Sequence, residues 1–285
     1  AMRDGTGLKE FAEKFPDRFF DVGIAEQHAL GLIAGMARAG LKPVLPIYSS
    51  FLQRGYDQII HDIALSGIPV TVCIDRAGIV GNDGETHQGI FDLSFLSSIP
   101  NIVIMAPKNF EELDKMLEFG VNLDKPVFIR YPRGGENFSF ESTEDIELGK
   151  AEIVQEGTDL SIIAIGNMVG RAEEVASLLP EKSVEIINAR FLKPLDEETI
   201  LNSIRKTGYC ITIEDNLLKG GLGSAVVEAV NKSDIQDVKI KNFGYDDTFV
   251  EHGTVKELED KYGLSAEKIS GKLFTFTEMW DIIYR

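Results

Sequence analysis

Short apolar runs rich in Val and Ile alternate along the chain with longer segments of helical spacing, and no other feature narrows the fold as far. The runs PVTVCID (69–75), IVIMAP (102–107), LSIIAIG (160–166) and VEII (184–187) are almost continuously apolar. Strands of that kind are covered on both faces, as in a parallel sheet flanked by helices. Further strands are expected at 19–22, 42–47, 126–134, 209–214 and 238–243. Helices are expected at 23–39, 51–66, 109–120, 171–179, 196–206 and 224–231. The pattern predicts an α/β chain of two domains, 1–135 and 150–285, each a mostly parallel sheet with helices on its faces. Residues 136–149 between them are acidic, scattered with Ser, Thr and Gly, and without helical period, as suits a linker. A chain of 285 residues is long enough to give each domain its own core.

The formal net charge of −17 argues against nucleic acid as a partner, because phosphate backbones are held by basic surfaces. An anionic substrate would have to be held by a few local arginines. No apolar run reaches the length of a membrane span. Cys73 and Cys210 sit in apolar runs as small core residues, and without a Cys-x-x-Cys pair they point to a cytoplasmic protein. The opening AMRDGTG reads as the middle of a loop, so the chain is expected to be the carboxyl-terminal portion of something longer.

Two stretches carry candidate chemistry. The first, IVGNDGETHQGIF (79–91), follows a strand and packs Asp83, Glu85, His87 and Gln88 among three glycines. Open α/β sheets bind ligands at the carboxyl ends of their strands, in loops like this one. Read alone, the stretch fits a structural Ω-loop equally well. The second is the expected helix 23–39, rich in Gly and Ala and apolar on nearly every face, which should bury it. Glu26 falls in its first turn, where a carboxylate suits the helix dipole. A buried carboxylate needs a partner, no Arg or Lys stands nearby in sequence, and a ligand proton is therefore expected. His61 reads as a surface histidine, and His252 is assigned no role. The turn GGLGSA (220–225) lacks the full phosphate-binding pattern and reads as a tight entry into a helix.

Taken together, DVGIAEQH (21–28), IYSSFLQRGYDQ (47–58), IDRAGIVGNDGETHQG (74–89) and RYPRG (130–134) resemble the 1-deoxy-D-xylulose-5-phosphate synthase family of the transketolase group. The resemblance implies that 1–135 is a pyrimidine-binding domain for thiamine diphosphate and 150–285 a transketolase-type carboxyl-terminal domain. It implies that Glu26 hydrogen-bonds the cofactor's aminopyrimidine, with Phe51 stacked on that ring and Arg54 closing the pocket. His87 resembles the histidine that handles protons at the acceptor aldehyde, and Asp83 the residue near the substrate hydroxyls. Tyr48, Arg76 and Arg133 resemble the residues that bind the substrate phosphate. Arg130 also fits that last role, and Arg133, on the turn past the strand, is preferred. The implied substrates are pyruvate and glyceraldehyde 3-phosphate, and the implied assembly is a homodimer. No Gly-Asp-Gly followed by a suitably spaced Asn occurs, so Mg2+ and the cofactor's diphosphate are expected on an amino-terminal half of the enzyme, and the chain alone is expected to be inactive. The small subunit of a split transketolase and a non-catalytic subunit that keeps the fold remain the competing readings.

Overall fold

The computed structural model describes residues 2–136 and 145–273. Within them the strands are β1 (Val44–Tyr48), β2 (Thr71–Asp75), β3 (Val103–Met105), β4 (Val127–Arg130), β5 (Glu152–Gln155), β6 (Leu160–Ala164), β7 (Val184–Asn188), β8 (Phe191–Lys193), β9 (Tyr209–Leu217) and β10 (Lys239–Tyr245). They form two five-stranded sheets, in the orders β1-β2-β4-β3-β8 and β10-β9-β6-β7-β5. All neighbours are parallel except β8 against β3 and β5 against β7. β2 and β4 are buried at every residue, as their unbroken apolar runs require. Of the expected linker 136–149, residues 137–144 lie outside the described residues.

The two halves are joined more closely than two sheets and a linker suggest. β8 leaves the second half to become the edge strand of the first sheet, with Met105 opposite Phe191. A buried polar network holds it there. Arg190 donates to Glu112 at 2.7 Å, Lys108 to Glu152 at 2.5 Å, and Asn188 to both carboxylates. Each of these groups is 6 % exposed or less, so each charge depends on its partner.

Three local expectations need correction. Residues 19–22 form no strand: the Asp21 carboxylate accepts the Gly23 N–H at 2.9 Å, and Gly23 takes a φ of +68°, which turns the chain into the next helix. That helix, Glu26–Arg38, is not buried all round. Glu26, Ala29, Leu30, Ile33 and Ala34 form one buried stripe, while Gln27, His28, Gly35 and Arg38 are exposed. The segment expected as one helix over 51–66 is broken into short α and 3-10 turns followed by a π-helix, Ile59–Ala64. Gly55 lies against Leu30 so closely that a Cβ there would meet the Leu30 side chain at 2.0 Å. From this broken segment Arg54 reaches Glu26, in the first turn of the preceding helix. His61 is exposed beside Asp57, as a surface histidine.

Candidate active site

Tyr48 ends β1, Arg76 directly follows β2, and Arg133 follows β4, so these predicted residues gather at the carboxyl ends of the first sheet's parallel strands. Their side chains form one unbroken series of contacts. Glu26, 7 % exposed, accepts from Arg54 at 2.7 Å. The Arg54 guanidinium lies 5.2 Å from the centre of the Phe51 ring. Phe51 stacks on Tyr48 at 5.3 Å and meets His87 edge-on at the same distance. Arg76 covers the other part of Tyr48 at 3.8 Å and donates to Asp83 at 3.3 Å. Arg133 donates to the second oxygen of that carboxylate. All eight predicted residues therefore belong to one cluster. The expectation that Glu26 lacks a protein partner is corrected, since Arg54, 28 positions away, is brought to it by the broken helix.

Backbone geometry builds the wall that carries Asp83 and His87. Gly78 and Gly89 exchange hydrogen bonds of 2.7 Å and pinch the loop at its base. A Cβ on Gly89 would meet the Arg76 carbonyl at 2.1 Å, so only glycine permits that approach. Between them the loop makes two short 3-10 turns, Gly81–Asp83 and Glu85–His87, with Gly84 at φ +87°. Gln88 plays no part in the cleft: its amide oxygen accepts from Val80 N–H at 2.8 Å, and its amide nitrogen donates to the Glu251 carbonyl at 2.9 Å. Thr86 and the Nδ1 of His87 are 3.0 Å apart. Arg76 itself sits at φ +60°, in the left-handed region that a non-glycine residue seldom occupies. Its guanidinium is held by Asp75 at 2.6 Å and by the Gly5 carbonyl at 3.0 Å, which is what sustains the strained backbone.

Electrostatics separate the two arginines that sequence left open. Arg130 is 3 % exposed and committed to Asp92 at 3.0 Å and to the Asp215 carbonyl at 3.0 Å. Arg133 keeps 45 % of its side chain exposed at the cleft. Burial pushes the Tyr48 phenol and the Asp75 carboxyl upward, and the neighbouring Arg76 offsets part of each shift. Asp75 and Gly5 were missed from sequence. Asp75 was legible as a neighbour of Arg76 at a strand end, whereas nothing in the sequence links Gly5 to residue 76.

In the second half, the turn at 220–223 already holds an acidic side chain of the protein itself. The fully buried Glu214 carboxylate accepts the Leu222 and Gly223 N–H groups at 2.8 Å each, at the start of the helix Leu222–Lys232. Burial raises the Glu214 carboxyl to about 8 and that of Asp215 to about 7. An acid whose folded value lies above its unfolded one favours the folded state at low pH and loses that contribution as pH rises through the folded value. Stability is thus expected to fall between about pH 4 and 8 through these two groups. Melting temperatures of the wild type and Glu214→Gln across that range check this: the difference between them should shift by several degrees against the wild type as pH rises. A pH-independent difference would contradict it.

Residues 1–136 match the family model described as transketolase, pyrimidine binding domain, and residues 149–269 that of the transketolase C-terminal domain. A protein of Halothermothrix orenii named 1-deoxy-D-xylulose-5-phosphate synthase is 53 % identical over 274 residues, covering 94 % of this chain and 43 % of that protein. One of the same name from Clostridium perfringens is 52 % identical over 278 residues, covering 96 % and 45 %. The chain spans less than half the length of these relatives. Among solved structures, one described as "Split gene transketolase, inactive beta4 tetramer" matches with a TM-score of 0.87 at 30 % identity, over 95 % of this chain and 88 % of that one. A transketolase from Campylobacter jejuni, at 21 % identity and a TM-score of 0.73 over 90 % of this chain and 39 % of that one, shares the fold. The chain belongs to the transketolase family, and within it stands with the 1-deoxy-D-xylulose-5-phosphate synthases.

Proposed function

We propose that this chain carries the pyrimidine-binding and acceptor-binding half of a synthase that condenses pyruvate with D-glyceraldehyde 3-phosphate to 1-deoxy-D-xylulose 5-phosphate with loss of CO2. The observation that carries the reading is the single contact series from Glu26 through Arg54, Phe51, Tyr48 and Arg76 to Asp83 and Arg133, with His87 against Phe51. A scaffold subunit has no use for that set.

The residues fit the pyrimidine end of thiamine diphosphate. A buried carboxylate, Glu26, is linked through Arg54 to a half-buried aromatic ring, Phe51, and the two residues before Phe51, Ser49 and Ser50, carry buried hydroxyls without hydrogen-bond partners. A flat ring with donors and acceptors on its edge is what such a set accommodates. When bound, the cofactor supplies the nucleophilic carbon and the electron sink for decarboxylation. Glu26 would share a proton with a nitrogen of the cofactor's ring, Phe51 would pack against that ring, and Arg54, which pairs with Glu26 and lies by Phe51, would close the pocket. Tyr48, Arg76 and Arg133 hold the phosphate of the acceptor, whose negative charge the two arginines already meet in Asp83. His87 moves a proton at the acceptor's carbonyl oxygen as the new carbon–carbon bond forms, and Asp83 orients the neighbouring hydroxyl. Mg2+ and the diphosphate are assigned to an amino-terminal portion of the enzyme, and a homodimer is the expected assembly.

A second reading, the small subunit of a split transketolase, is favoured by the match to 88 % of the split-gene chain. The two differ in the donor, which in a transketolase is a ketose phosphate. With the amino-terminal portion, thiamine diphosphate, Mg2+ and carboxyl-labelled pyruvate present, the synthase reading expects labelled CO2 to appear in step with consumption of glyceraldehyde 3-phosphate. Ketol transfer from a ketose phosphate without CO2 would instead establish the second reading.

A further inference from the structure

The loop that carries Asp83 and His87 is gripped by the second domain, and one side chain makes the grip at its start. Asp215, near the end of β9 and 2 % exposed, accepts the Ile79 N–H with both carboxylate oxygens, at 3.3 and 3.4 Å. The carboxylate fills the space where a Cβ on Gly78 would stand, 1.6 Å from such an atom, so it lies directly under the pinch between Gly78 and Gly89. The Asp215 carbonyl accepts from Arg130, at the end of β4, and two residues on Leu217 N–H donates to the Ile90 carbonyl at 2.8 Å. One strand of the second sheet therefore touches both ends of the loop.

We propose that Asp215 is a positioning residue, which sets the start of the glycine loop and so aligns Asp83 and His87 toward the acceptor substrate. The inference rests on the reading of that loop given above. Ile79 packs into the core of the second domain, and the Asp215 carboxylate adds a directional contact to that packing. A cavity of about 220 Å³ lies beside this contact, lined by Ile79, Tyr131, Arg133, Arg171, Asp215 and Glu259. Ile79 is 4 % exposed, and the Asp215 carboxylate is the acceptor that its buried N–H finds. Arg130, Tyr245 and Glu259 face the carboxylate from other elements, and burial raises its carboxyl to about 7 despite Arg130. Asn keeps an oxygen that accepts the same N–H without the charge, whereas Ala leaves a buried N–H unpaired.

The test compares Asp215→Ala, Asp215→Asn and the remote core variant Val175→Ala in the complete enzyme. Hydrogen exchange of the amides at 79–89 is read beside the KM and kcat for each substrate. Asp215→Ala is expected to speed that exchange and to lower kcat/KM for glyceraldehyde 3-phosphate by about 10–100-fold, with the KM for pyruvate within about twofold. Asp215→Asn should restore most of both, and Val175→Ala should disturb neither. Unchanged loop exchange in Asp215→Ala, faster exchange with unchanged acceptor kinetics, or the same pattern from Val175→Ala would overturn the proposal. If the wild-type enzyme made no 1-deoxy-D-xylulose 5-phosphate, the functional reading would fail, and the exchange data would still decide whether Asp215 holds the loop.

Discussion

Glu26→Gln is expected to lower turnover by about 10²–10⁴-fold at saturating thiamine diphosphate, the range for loss of a positioned proton-transfer group. Gln has the shape of Glu and keeps a hydrogen bond to a ring nitrogen, but it has no carboxylate to share a proton. The fold should survive, because the rest of the buried stripe, Ala29, Leu30, Ile33 and Ala34, is untouched. Arg54 loses its anionic partner, yet more than half of its side chain is exposed, so water replaces the lost contact at little cost. Steady-state kcat in the complete enzyme, beside a melting curve for the variant, checks this. Near-normal turnover would sink the assignment of Glu26.

The second large effect is expected at the two arginines. A charge-assisted hydrogen bond contributes about 1.5–3 kcal/mol, so Arg133→Ala should raise the KM for glyceraldehyde 3-phosphate by roughly 10–150-fold and leave that for pyruvate nearly unchanged. Arg76→Ala should do the same and also destabilise the chain, because it strips the buried Asp75 of its 2.6 Å partner and uncovers Tyr48. Arg76→Lys, which keeps the charge but not the planar stacking, should recover part of the affinity. Equal changes in both KM values would argue against a phosphate role for the pair.

Several parts of this molecule are legible along the chain because their causes are local. Continuous apolar runs mark strands covered on both faces, so β2, β4, β6 and β7 stand where they are expected. The glycines of 78–89 mark a loop that must take positive φ and approach other backbone closely. Elements stabilised from afar are not legible in that way. β8 is three residues long and owes its place to buried partners such as Glu112, 78 positions from Arg190. The π-helix at Ile59–Ala64 and the turns before it lie in a segment whose Gly55 packs against Leu30, 25 positions away, a contact that no helical periodicity announces.

The same division runs through the candidate site. The resemblance carried by four motifs in order named Glu26, Tyr48, Phe51, Arg54, Arg76, Asp83, His87 and Arg133 as one set, and the structure brings their side chains into one series of contacts. The sequence by itself also determined two mostly parallel α/β sheets, because burial of a strand on both faces is written into its own side chains. Only the tertiary structure decided which groups are paired: Glu26 with Arg54, Asp83 with both arginines, and Arg130 with Asp92 rather than with the cleft. It alone brought Asp215 beneath Gly78, across 137 positions of chain, by packing the end of β9 against the loop base. Ion pairs and hydrogen bonds form between whatever groups the packed layers bring within about 3 Å, and that distance is set by the packing of whole sheets rather than by spacing along the chain.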